Sequence, residues 1–183
     1  METIEDKKQF AVLIDSDNIS AKYAASIFNE IENYGYASFR RIYGNWSNKA
    51  NGWKEEILLE NSITPVQQFA YTSGKNATDM AMVIDAMDIL YSRKVDGFCL
   101  VTSDSDFTRL AMRLREENMY VIGMGESKTP MALTKACNKF IHLNLTNKQV
   151  NDVETASETA AGNSHRKGGK AVEEEHGSGV TPI

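Results

Sequence analysis

The sequence predicts an α/β fold, a three-layer α/β/α sandwich around a mostly parallel central sheet with strand order near 3-2-1-4-5. Two observations carry this. Short β-rich runs alternate with helix-patterned segments of 10 to 17 residues, and strands that alternate with helices imply crossover connections and a sheet covered on both faces. Two of the strand-like runs, AVLI at 11–14 and FCLV at 98–101, are purely apolar, and each is followed by the same acidic triplet, Asp15-Ser16-Asp17 and Asp104-Ser105-Asp106.

The elements follow in order. QFAVLI (9–14) is the first strand, and segment 20–34 follows it with Tyr23, Ile27 and Ile31 recurring every four residues. ASFRRIY (37–43) is the second strand, and Trp53, Ile57 and Leu58 give segment 49–61 its apolar side. TPVQQFA (64–70) precedes a helix over 76–92, striped by Met80, Val83, Ile84, Met87 and Leu90. After GFCLVT (97–102), residues Phe107, Leu110, Ala111 and Leu114 make an i, i+3, i+4, i+7 stripe over 107–118. YVIGMG (120–125) is the fifth strand. Pro130 stands in the first turn of a short helix over 130–137, and KFIHLN (139–144) is the last strand. These stripes read as core. The domain spans 1–147. Residues 148–183 hold few large apolar side chains and no aromatic one, too little to offset the entropy of ordering, so they read as a disordered tail or a linker.

Composition narrows the function classes. A net charge of −5 and a pI near 5.3 argue against broad, nonspecific nucleic-acid binding. They leave open a metal-dependent enzyme acting on phosphates, because a bound divalent cation reverses the local field. Cys99 and Cys137 have neither zinc spacing nor a disulfide framework. The N-terminal segment METIEDKKQF is polar and the apolar runs are short, so no membrane is expected and the expected location is cytoplasmic.

In an open α/β sheet, ligands bind at the carboxyl edge where strand order reverses. Strands one and four are neighbours there, which brings Asp15 and Asp17 toward Asp104 and Asp106, and Asp79 at the start of the third helix faces the same edge. Like charges a few ångströms apart repel by roughly 1 to 4 kcal/mol per pair. Hard cations offset that repulsion with oxygen ligands, and the absence of histidine from these segments favours Mg²⁺ or Mn²⁺ over zinc. A single Asp after a strand is often only the cap of the next helix. Capping does not account for two D-S-D repeats together with Asp79. Asp88 reads as solvated or salt-bridged, and Asp85 is left open.

Substrate contacts are expected from Lys75, which precedes the third helix, and from RRIYGNWSNKANGWK (40–54), where Arg41 and Trp46 lie among interleaved cations and aromatics. Trp53 also fits the core. Arg109 lies close to the acidic edge, although a solvated face explains it as well.

LIDSDNIS, GKNATDMAMVIDAMDIL and LVTSDSDFTRLAMRLREENMYVIGMG together resemble the NYN domain, a branch of the PIN-like nuclease superfamily, and within it the bacterial LabA-like proteins. The resemblance covers about residues 9 to 145. It implies a ribonuclease that uses one or two Mg²⁺ or Mn²⁺ ions, with Asp15, Asp79, Asp104 and Asp106 as catalytic metal ligands and Asn18 and Ser103 as polar site residues. In-line attack on RNA would leave a 5′-phosphate and a 3′-hydroxyl. LabA-like proteins often carry a C-terminal RNA-associated winged helix; here a low-complexity tail follows the domain, so that module is expected to be missing or cut off. The expected partner is RNA, single-stranded, and a homodimer is plausible.

Two rivals stand beside this reading. D-S-D-N resembles the D-x-D of haloacid-dehalogenase phosphatases, but Ile19 occupies the position where those enzymes carry Thr or Val, and no cap insertion is evident. The other is a catalytically weak RNA- or protein-binding regulatory module on the same fold.

Overall fold

The computed structural model describes residues 7–47, 52–69 and 77–144. Six strands form one sheet: β1 (Gln9–Asp15), β2 (Tyr36–Gly44), β3 (Thr64–Gln67), β4 (Gly97–Val101), β5 (Tyr120–Gly125) and β6 (Lys139–His142). Their order is β3-β2-β1-β4-β5-β6. Every neighbouring pair is parallel, so the sheet is wholly rather than mostly parallel. The helices are α1 (Ala24–Ile31), α2 (Glu55–Glu60), α3 (Ala77–Ser92), α4 (Thr108–Glu116) and α5 (Met131–Ala136).

Strand alternation divides the core into two layers. Val12, Ile14, Ile42, Cys99, Val101 and Ile122 point to one face and pack with Ile27 and Ile31 of α1, Leu58 of α2, and Trp53. Leu13, Tyr43, Phe98, Leu100 and Val121 point to the other and pack with Met82, Ala86 and Ile89 of α3, Leu110 and Leu114 of α4, and Leu133 of α5. Strands β1 and β4 are buried almost end to end, which is why their sequences read as continuous apolar runs.

The helix boundaries are tighter than the periodicity predicts. Segment 20–34 begins as a 3-10 turn (Ala21–Tyr23) capped by Ser20 and becomes α-helical only at Ala24. Pro130 is the N-cap of α5, with extended backbone (ψ 144°), and not a residue of its first turn. The stripe expected on α3 is partly displaced. Met80 and Ile84 are each 57% exposed, while Met82, Ala86, Ile89 and Leu90 are buried. AMVIDAMDILY is apolar on most sides, so its pattern defines no single face, and the sheet chooses one.

Among the described residues no helix is long and apolar enough to cross a membrane. Lys75 and the tail at 148–183 lie outside the described residues.

Candidate functional site

The strands deliver their chemistry at the carboxyl edge. β1 ends on Asp15, which is 0% exposed and lies beside Tyr43 of β2 in register. Ile14 pairs with Val101, so the next residues, Asp15 and Thr102, stand side by side. Three donors then meet one carboxylate. Asn18 Nδ2 donates to Asp15 Oδ2 at 2.7 Å and Thr102 Oγ1 donates to the same oxygen at 2.9 Å. The Asp17 amide donates to Oδ1 at 3.2 Å.

Beyond β4 the backbone of Asp104 donates to Thr102 Oγ1 at 3.1 Å. Asp104 caps the 3-10 turn Ser105–Phe107 that leads into α4, its Oδ1 accepting from the Asp106 amide at 2.9 Å. The capping that would explain a lone aspartate is therefore present, and it occupies one of the two carboxylate oxygens. Asp79 comes from the first turn of α3. Asp79, Asp104 and Asp106 each bring an oxygen within 4.8 Å of the other two. Asp79 and Asp104 are half-buried and Asp106 is exposed.

The electrostatics follow from this gathering. Burial, and after it the charges of Asp15, Asp104, Asp106 and Asp17, push the Asp79 carboxyl up to about 7. Burial also raises Asp15, against the lowering effect of its bonds from Asn18 and Thr102. Among the described residues no Lys or Arg forms an ion pair with Asp79 or Asp104. The donor set fits a hard divalent ion: it is all oxygen, and it is held together against its own repulsion. Asp79, Asp104 and Asp106 are thus the residues that would hold such an ion.

The structure places the expected site residues as follows. Asp15, expected as a fourth ligand, lies outside the group of three, and its Oδ2 accepts from Asn18 and Thr102. Asn18, expected at the substrate, donates to Asp15 and orients its carboxylate. Ser103 Oγ accepts the Glu126 amide at 2.9 Å, tying the loop after β4 to the end of β5. Arg41, also expected at the substrate, donates from Nη1 to Asp85 Oδ1 at 2.5 Å. Tyr43, fully buried, donates its hydroxyl to the other oxygen of Asp85. Trp46 is half-buried; its indole N–H donates to Val66 O at 3.0 Å and its amide to Gln67 Oε1 at 2.8 Å. Trp53 is core, its indole N–H donating to Ile19 O at 2.9 Å. Arg109 is exposed on the first turn of α4.

Sequence reasoning passed over Thr102, left Asp85 open and took Tyr43 only as one aromatic among the cations of 40–54. Thr102 had a usable signal, since it is the residue that follows β4 opposite Asp15. It also passed over Gly44, where an added Cβ would lie 2.2 Å from Ser16 Oγ. That hydroxyl is buried with no hydrogen-bond partner among the described residues. Glycine lets the D-S-D turn after β1 lie flat against β2.

A solved structure of a protein of unknown function from Vibrio parahaemolyticus RIMD 2210633 has the same fold, with a TM-score of 0.64 at 19% identity, covering 79% of this chain and 97% of that one. No curated protein matches the chain at a significant level. The NYN domain model matches residues 9–144, which takes in all six strands and the acidic edge. The chain belongs to the NYN domain family.

Proposed function

We propose that this NYN domain, of the LabA-like branch, is a Mg²⁺- or Mn²⁺-dependent ribonuclease that hydrolyses single-stranded RNA. The observation that carries the reading is the convergence of Asp79, Asp104 and Asp106, with the Asp79 carboxyl pushed up to about 7 by burial and by its acidic neighbours. When bound, the ion supplies Lewis acidity toward the phosphate and lowers the pKa of a coordinated water.

The chain's own residues do the rest. Asp79, Asp104 and Asp106 would hold the ion, and the nearby Asp15 would add negative charge to the site. Asn18 and Thr102 keep the Asp15 carboxylate oriented, and Ser103 fixes the loop that carries Asp104. Arg109 and Trp46 are the candidates for contact with the RNA strand, together with Lys75. Arg41 is withdrawn from that role by Asp85.

One observation favours a binding module instead: three protein donors already satisfy Asp15, which leaves fewer free acceptors for metal. The same experiment decides both. End-labelled single-stranded RNA is incubated with Mn²⁺, Mg²⁺ or EDTA, using wild type and Asp104→Asn purified in parallel. Metal-dependent cutting that the variant loses supports the nuclease. No cutting by wild type with either metal sinks it and leaves RNA affinity as the question.

A further inference from the structure

α3 carries Asp79, and its grip on the sheet is otherwise apolar, through Met82, Ala86, Ile89 and Leu90. Apolar contacts are non-directional and tolerate small rolls of a helix. Asp85 is different in kind. It stands six residues beyond Asp79, about 9 Å along the axis and roughly 120° around it. Its two carboxylate oxygens are taken by two residues of one strand, Arg41 Nη1 at 2.5 Å and the Tyr43 hydroxyl. The Arg41 guanidinium is itself held over the Phe39 ring, 5.2 Å from its centroid. Tyr43 is fully buried and in register with Asp15, so the anchor sits on the strand position beside the acidic site.

We infer that Asp85, gripped by Tyr43 and Arg41, is a positioning residue that sets the roll of α3 and thereby the place of the Asp79 carboxylate against Asp104 and Asp106. The geometry gives the sensitivity. A side-chain tip lies about 5–6 Å from a helix axis, so a 20° roll carries it about 2 Å. Metal constellations need placement within about 0.5 Å. Two hydrogen bonds to one carboxylate confine the roll to a few degrees, which the apolar contacts do not. The same network pairs Arg41 with Asp85.

The consequence for metal rests on the nuclease reading, and the effect on the helix does not. Two readouts therefore separate them. Tyr43→Phe and Asp85→Asn are compared with wild type and with Ile31→Val, a core change in α1 on the opposite face. Mn²⁺ binding is followed by the electron paramagnetic resonance of the free ion, and amide hydrogen exchange is followed along α3 and α1.

In both test variants, Mn²⁺ affinity is expected to fall about tenfold or more, the range seen when partners of metal ligands are lost. Exchange in the first two turns of α3 is expected to quicken, with α1 unchanged and Ile31→Val altering neither. Unchanged α3 exchange and unchanged Mn²⁺ affinity in the variants overturn the inference. Wild type that binds no Mn²⁺ overturns the metal reading, and the exchange arm still decides whether Asp85 holds the helix.

Discussion

Asp79→Asn removes a carboxyl whose charged form burial and acidic neighbours both disfavour, and the structure gives both the sign and the size of the result. In the folded protein this group titrates near 7 against an ordinary 3.8. The folded state therefore holds a proton that the unfolded chain releases, and stability falls as pH rises from about 4 to 7. Taken at face value the shift is worth about 4 kcal/mol. Asp79 is only half-buried, and solvent screening reduces that to about 1–2 kcal/mol.

Without divalent metal, Asp79→Asn is thus expected to be more stable than wild type at pH 8 by about 1–2 kcal/mol, or about 3–8 °C in Tm for a domain of this size. At pH 4.5, where the native carboxyl is already protonated, the two are expected to converge. Added Mn²⁺ is expected to stabilise wild type, since a ligand bound to the native state adds RT ln(1 + [L]/Kd), and to stabilise the variant far less. Urea melts in EDTA and in Mn²⁺ at both pH values measure all of this. A variant no more stable than wild type at pH 8 in EDTA would refute the claim that burial and the neighbouring carboxylates disfavour the Asp79 charge.

Two further outcomes follow from the backbone. Gly44→Ala drives a methyl into the Ser16 hydroxyl beneath the D-S-D turn, and is expected to cost about 1–3 kcal/mol and to weaken Mn²⁺ binding; a urea midpoint and Mn²⁺ affinity both equal to wild type would contradict the close approach. Arg93 follows α3 in the left-handed region at φ 55°, so Arg93→Gly is expected to stabilise by about 1 kcal/mol, read as a higher urea midpoint with unchanged RNA cleavage.

What the sequence determined by itself was the periodicity and the ends of strands. Parallel strands buried on both faces must be apolar throughout, so QFAVLI and GFCLV were legible, and the polar chemistry begins at their ends. That is why Asp15, Asp104 and Asp106 stood out. Alternation of strand and helix also carried the sheet order, which the six strands extend by one.

Contacts between residues distant in the chain belonged to the tertiary structure. Asp15 and Thr102 are 87 positions apart and meet only because β1 and β4 lie side by side. Arg41 looks like a free cation in RRIYGNW, and only the docking of α3 brings Asp85 to it. The helix itself, apolar on most sides, held no instruction about which face to bury. Packing against the sheet chose Met82 and Ala86 over Met80 and Ile84, and a buried tyrosine on β2 gave Asp85 its partner. Local sequence can specify which group a strand end delivers. Which oxygen of that group is already spoken for depends on neighbours that the fold supplies.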